Sequence, residues 1–257
     1  MTTPAATDPV RELALADALA WEAARLAEIA AGGRTSAVLL WSCEPALVAP
    51  SRLSRLPGFA RACVRAANAG WPVHLRATGG DLVPQGPGIV NLTLMFLRPQ
   101  GAAPRLKDAY RQLTAPICEA LSDAGISSCY GSVPGAFCDG RFNVTVKGQK
   151  FAGTAQRWRP MAVGEAVQTH ALMLMRTPDE NTVAILNRFY RDCGIDQVIR
   201  ASAHVGLHDL VQSDEGKTSQ LGFLRTIADR VHSWSACNLS ERGQSTSNQS
   251  LPGNSPV

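Results

Sequence analysis

Two glycine-bearing segments hold the residues best suited to chemistry, Arg76-Ala-Thr-Gly-Gly-Asp-Leu-Val-Pro-Gln-Gly-Pro-Gly88 and Gly148-Gln-Lys-Phe-Ala-Gly-Thr-Ala-Gln-Arg-Trp158. Each sets one long cation beside small residues that let a backbone approach a ligand closely. Lys150 is one of only four lysines in a chain that otherwise meets its need for positive charge with arginine. It stands between the apolar stretch Phe142–Val146 and the small run Ala152–Ala155, a poor setting for a solvated surface residue. A compact ammonium there suits a carbonyl or phosphate oxygen. Arg76 ahead of Gly79 and Gly80 puts a guanidinium next to bare amides, a ready clamp for an anion. The two segments read as facing walls of one small-molecule site. Cys138, in the turn-rich loop Gly135-Ala-Phe-Cys-Asp-Gly140, is a candidate nucleophile. His204 and His208 lie four apart, but Val205 follows the first where a metalloprotease helix would place Glu, so no metal site is expected.

Elements that would carry these residues follow from periodicity and punctuation. Apolar residues recur at helical spacing from Pro9 to Ala31, and Gly32-Gly33 closes that helix. Further helices are expected over Phe59–Asn68, Lys107–Ala124 with a break near Pro116, Pro178–Cys193 and Gly222–Trp234. Strands are expected over Ala37–Trp41, Pro72–Arg76, Ile89–Leu97 and Thr169–Met175. Phe142–Val146 and the segment from Lys150 should form a hairpin turning at Gly148. Strands and helices do not alternate strictly. This predicts an α+β single domain with a mixed central β-sheet flanked by helices, over residues 9–237. Residues 1–8 read as a disordered lead and 238–257, rich in Ser, Asn, Gln and Gly, as a disordered tail.

Bulk properties exclude several function classes. Net charge is +4 with arginines scattered rather than clustered, against a nucleic-acid partner. No apolar run reaches the ~18 residues of a membrane span. The N-terminus lacks a signal-peptide pattern, which predicts a cytoplasmic protein. Seven cysteines without a CxxC pair predict neither a disulfide framework nor a zinc site.

The ordered set Arg76, Gly79, Gly80, then Gly86-Pro-Gly88, then Gly148-Gln-Lys-Phe-Ala-Gly-Thr-Ala-Gln156, then His170 ahead of an apolar strand resembles the lipoate ligase, octanoyltransferase and biotin ligase superfamily. The similarity runs from about Asp17 to Leu210. Its most specific part is the Lys150 segment, where members read Gly-Arg-Lys-Ile-Ala/Ser-Gly-Ser-Ala. The repeated Gly-Arg-Gly-Arg element of biotin ligases is missing, which favours the lipoate and octanoate enzymes. The resemblance implies that Lys150 contacts the acyl carbonyl and that Arg76, Gly79 and Gly80 cover the acyl chain. It adds Gly153, Thr154, Ala155, His170 and Asn143 to the substrate-binding set, and sets Cys138 in the loop where cysteine-dependent octanoyltransferases keep their nucleophile. Val83, Leu92, Leu94 and Val144 are the expected tunnel lining.

What the resemblance implies for function is transfer of an octanoyl or lipoyl group to the acceptor lysine of a lipoyl-domain or glycine-cleavage H-type carrier protein, through a Cys138 acyl-enzyme and without a cofactor. Acyl-carrier protein would be the possible donor. The alternatives are a ligase working through an acyl-adenylate with ATP and Mg²⁺, and a non-catalytic carrier-binding homologue. Three departures bear on the choice. Gln85 stands where ligases place His. Asn143 stands where they commonly have Asp, removing a charge suited to Mg²⁺. Val167 stands where another octanoyltransferase branch keeps its cysteine. With a short remainder after Leu210, the accessory domain of many ligases is not expected here.

Overall fold

The computed structural model describes residues 8–99, 106–162, 164–212 and 219–245. In chain order these form β1 (Arg11–Glu12), α1 (Leu15–Ala30), β2 (Ser36–Ser42), β3 (Ala46–Pro50), α2 (Phe59–Asn68), β4 (Val73–Arg76), β5 (Val83–Gln85), β6 (Ile89–Pro99) and α3 (Leu106–Asp123). Then come β7 (Cys129–Tyr130), β8 (Val144–Val146), β9 (Gln149–Met161), β10 (Gly164–Leu174), α4 (Glu180–Asp192), α5 (Leu207–Gln212) and α6 (Gln220–Ser245). One sheet runs β1-β2-β6-β10-β9-β8-β7 and a smaller one β4-β3-β5. In the large sheet only β1 and β2 pair in parallel; in the small one β3 is parallel to β4 and antiparallel to β5. The architecture is α+β with mixed sheets and flanking helices, as the residue pattern predicts.

Strand periodicity sorts most of the described interior into two main cores. Leu39, Trp41, Leu172 and Leu174 join the small sheet, α1 and α4 on one face of the large sheet. Leu40, Leu92, Leu94, Ala171 and Met173 join α3 and α6 on the other. This overturns part of the expected tunnel lining. Leu92, Leu94 and Val144 belong to the α3–α6 core, across the sheet from Val83. On β6 the residues of opposite parity, Asn91 and Thr93, are the ones aimed toward the small sheet, and both are fully buried.

Several boundaries differ from the sequence reading. The first helix starts at Leu15 rather than Pro9, because Arg11 and Glu12 pair with Trp41 and Ser42. Leu15 N–H then finds Glu44 Oε1 at 3.2 Å. Strands β3 and β5 lack a sequence signal, since both are short and contain proline. α3 continues through Pro116 without a break. α6 runs to Ser245, eight residues past the expected end of structure at Cys237. Residues 1–7 and 246–257, most of the expected lead and tail, lie outside the described residues.

Candidate active site

The site forms where the loop between β7 and β8 folds over the start of β9. Lys147 and Gly148 both have positive φ, 50° and 79°. That is the backbone a two-residue hairpin needs, and it sets Lys150 as the second residue of β9. From there Lys150 is completely buried. Its Nζ donates to the carbonyl of Phe137 at 2.5 Å and of Cys138 at 2.8 Å. It also lies 4.9 Å from the centre of the Phe137 ring, within cation–π range. Burial lowers its pKa from 10.5 to about 8; Cys138 and Asp139 oppose that shift and Arg76 adds to it. Gly153 is what leaves room for the ammonium: a Cβ there would stand 2.8 Å from Nζ.

The two carbonyls flank the candidate nucleophile. Cys138 is held at φ 45°, in the left-handed region that costs a non-glycine residue about 1–3 kcal/mol. Its Sγ accepts the backbone N–H of Asp81 at 3.1 Å and faces Arg76 Nη2 at 3.7 Å. Arg76 itself donates to the Asp81 carbonyl at 2.8 Å, while Arg52 pairs with the Asp81 carboxylate. The first glycine segment therefore wraps the sulfur. Gly80, at φ 98°, sits so close that a Cβ would stand 2.7 Å from Sγ and 2.9 Å from Arg76 Nη2.

A narrow pocket collects Arg76, Val83, Phe137, Cys138, Lys150, Gly153, Thr154, Ala155, His170 and Leu172. It thus unites seven of the expected site residues. Gly80 touches the pocket from behind, and Gly79 has open space around it. Asn143 stands just outside that lining: its Nδ2 donates to Asp139 Oδ1 at 2.8 Å, an atom that also accepts the N–H groups of Val133 and Gly140, while its Oδ1 faces Gly153, 3.9 Å from where a Cβ there would stand. That carboxylate is committed to shaping its own loop. A larger groove around Gly86–Ile89 and Arg176 brings together no nucleophile and cation of this kind.

Sequence reasoning missed the polar cluster around His170. A second small cavity shares Arg76 and His170 with the first and adds Glu22, Trp41, Thr78 and Gln85. His170 Nε2 donates to Asn91 Oδ1 at 3.1 Å, and Nδ1 lies 3.2 Å from both Thr93 Oγ1 and Glu22 Oε1. Gln85 and Asn91 exchange amide bonds at 2.8 and 3.1 Å, and Gln168 donates to Glu22 Oε2 at 2.8 Å. The missed signal was a lone acid among the buried residues of α1 (Leu15, Ala18, Glu22, Leu26, Ile29) and two polar residues at alternate positions of an apolar strand.

Among the described residues no three His, Cys, Asp or Glu side chains group as a metal-ligand set. Nor is any described helix long and apolar enough to cross a membrane.

Fold and site together describe an α+β domain in which a buried lysine and a strained, donor-wrapped cysteine share one narrow pocket. The chain belongs to the lipoyl protein ligase A/B catalytic domain family, whose model matches residues 14–212. It is 30% identical over 238 residues to an octanoyl-[GcvH]:protein N-octanoyltransferase of Kyrpidia tusciae, covering 83% of this chain and 81% of that protein. It is 37% identical over 198 residues to an uncharacterized protein of Cupriavidus necator, covering 72% and 74%. Among solved structures, lipoate-protein ligase A bound with ATP shares the fold with a TM-score of 0.59 at 15% identity, over 89% of this chain and 84% of that one. A chain from a structural analysis of an archaeal lipoylation system, a bi-partite lipoate protein ligase and its E2 lipoyl domain from Thermoplasma acidophilum, gives 0.56 at 14% identity, over 89% and 82%.

Proposed function

We propose that the protein is an acyltransferase that moves an octanoyl or lipoyl group onto the acceptor lysine of a lipoyl-domain or glycine-cleavage H-type carrier, by way of a thioester on Cys138. The observation that carries this reading is the setting of Cys138: positive φ, an amide N–H and a guanidinium on its sulfur, and Lys150 bonded to the carbonyls on either side. Donors aimed at the sulfur suit the charge of a thiolate, the attacking form. The thiolate adds to the donor carbonyl, and the tetrahedral oxyanion collapses with loss of the donor's leaving group. That group departs as a thiolate from an acyl-carrier protein, or, from an octanoylated H-type carrier, as a lysine amine whose nitrogen takes a proton from solvent as the C–N bond breaks. The acceptor lysine amine then attacks the acyl-Cys138 carbonyl, loses its proton, and leaves as an amide while Cys138 is regenerated. An ammonium has three N–H donors, and two of those on Lys150 hold backbone carbonyls. The third is the group to meet the oxyanion, since Lys150 lines the pocket.

The similarity to an octanoyl-[GcvH]:protein N-octanoyltransferase of Kyrpidia tusciae supports acyl transfer from a carrier. ATP and Mg²⁺ enter only in the ligase alternative. Here the Asn143 position offers no carboxylate, and Asp139 Oδ1 already accepts three donors. The test incubates purified protein with octanoyl-acyl-carrier protein, with octanoyl-H carrier, or with free lipoate, ATP and Mg²⁺, and follows carrier acylation. Acylation from either carrier donor without nucleotide supports the proposal. Acylation only with free acid and ATP replaces it with the ligase reading. Carrier binding without acylation in any arm favours the non-catalytic one.

A further inference from the structure

His204 does not line the Cys138 pocket, yet it is joined to both members of the proposed pair. It is 1% exposed. Its Nε2 lies 3.1 Å from the Phe137 backbone N–H, and its Nδ1 lies 3.0 Å from the Arg200 carbonyl. An amide N–H can only donate and a carbonyl can only accept, so the ring is neutral with its proton on Nδ1. Burial, reinforced by the charge of Lys150, lowers its pKa to about 4, which keeps the ring neutral near neutral pH. The ring stacks on that of Phe137, with centroids 4.4 Å apart and planes 21° from parallel. Its backbone forms an isolated parallel bridge with Lys150, and Val205 N–H bonds the Lys150 carbonyl at 3.0 Å.

Phe137 is consequently gripped at both polar groups, its N–H by His204 and its carbonyl by Lys150 Nζ. The next residue is Cys138, whose left-handed backbone would relax if either grip failed. We propose that His204 is a positioning residue for acyl transfer: by accepting the Phe137 N–H it holds the 137–138 turn in the conformation that presents Cys138 Sγ to the pocket and to Asp81 N–H. This rests on the reading of Cys138 as the nucleophile. The feature is separate from the pocket chemistry, because His204 reaches no reacting atom. With the acceptor gone, a fully buried N–H is orphaned, a penalty equivalent to about 5- to 150-fold in the population of the productive turn.

Two substitutions separate the acceptor from the ring. His204→Phe keeps the stack and the volume but accepts nothing; His204→Gln loses the ring but keeps a carbonyl oxygen. Three readouts apply to the full-length protein: amide exchange at Phe137, the rate of Cys138 alkylation by iodoacetamide, and single-turnover octanoylation of Cys138. In His204→Phe the amide should lose protection and alkylation should slow. Octanoylation should slow by about 5- to 150-fold with little change in donor KM. His204→Gln should stay within about threefold of wild type, far less than a lost buried bond implies. A folded His204→Phe protein with wild-type exchange and alkylation, or a Gln variant as impaired as the Phe variant, overturns the proposal. If wild-type protein never acylates Cys138, the nucleophile reading fails by itself. The exchange and alkylation readouts still decide whether His204 sets the turn.

Discussion

Replacing Lys150 with Met keeps the length of the side chain and removes its charge. The consequences can be worked from the site. Burial lowers the Lys150 pKa from 10.5 to about 8, so holding it charged inside the protein costs roughly 3 kcal/mol at about 1.4 kcal/mol per unit. Opposing that are two charge-assisted bonds to buried carbonyls, each contributing about 1.5–3 kcal/mol. Lys150→Met relieves the first and forfeits the second, leaving a net loss of about 0–3 kcal/mol and a melting temperature lower by at most about 10 °C. Acyl transfer should fall far more, by about 100-fold or beyond, because an oxyanion donor and the Cys138 turn are lost together. Lys150→Arg should fail as well, since the ammonium already sits 2.8 Å from where a Cβ on Gly153 would be and a planar fork is larger.

The same pKa gives a signature in stability. Between pH 8 and 10.5 the unfolded chain holds a proton on this lysine that the folded chain has released, so wild-type stability gains up to roughly 3 kcal/mol as pH rises through that window. The Met variant lacks that gain. Urea unfolding of both proteins at several pH values across the window, with carrier acylation assays at pH 7, reads both effects. Equal pH slopes for the two proteins, or a folded Met variant within tenfold of wild-type activity, would refute the reasoning.

Other outcomes follow from the same geometry. Gly153→Ala should displace the ammonium and reduce acylation at least tenfold, by the range typical of a weakened oxyanion donor, while far-UV circular dichroism stays native; unchanged turnover would sink the packing argument. Gly80→Ala combines a φ of 98° with a Cβ 2.7 Å from Sγ, so it should lower both stability and the alkylation rate of Cys138; wild-type values for both would show that the loop yields freely. As pH falls from 6.5 towards 4 the unfolded chain protonates a histidine that the folded chain keeps neutral. Wild type should therefore lose up to roughly 3 kcal/mol in acid, a slope that His204→Gln should lack in urea titrations. Truncation after Ser245 should leave melting temperature and activity unchanged, since residues 246–257 offer little to bury; a drop of many degrees would show otherwise.

How far the fold could be read depended on where the information was local. α2 begins and ends where its apolar spacing and Gly70 place it, and the Lys147–Gly148 turn is written in its residues. β6 was legible as a strand, but its facing was not: a nearly continuous apolar run hides which parity meets which core. The expected tunnel positions Leu92 and Leu94 therefore fall on the other side of the sheet. β3 and β5 owe their existence to one another and to β4, a tertiary pairing without local pattern. Most of the expected site residues line one pocket because glycine, lysine and cysteine advertise close approach by type. Glu22, Asn91 and Thr93 escaped notice because each is a single polar residue within an apolar element, and only the assembled sheet brings them to His170. The spacing of His204 and His208 spoke only to metal binding. The bond from Phe137 N–H to His204 joins positions 67 residues apart, beyond any local reading.

The central claim is that Cys138 carries the acyl group. Purified wild-type protein mixed with octanoyl-acyl-carrier protein or octanoyl-H carrier, quenched in acid and digested, should yield the Cys138 peptide bearing one octanoyl group, labile to hydroxylamine. That adduct should be discharged when a lipoyl-domain acceptor is added, and Cys138→Ser should neither form it nor turn over, a hydroxyl without a dedicated base being a far weaker nucleophile than a thiolate. Cys138→Ser protein that attaches lipoate to carrier at the wild-type rate, in an ATP-dependent reaction, would contradict the claim.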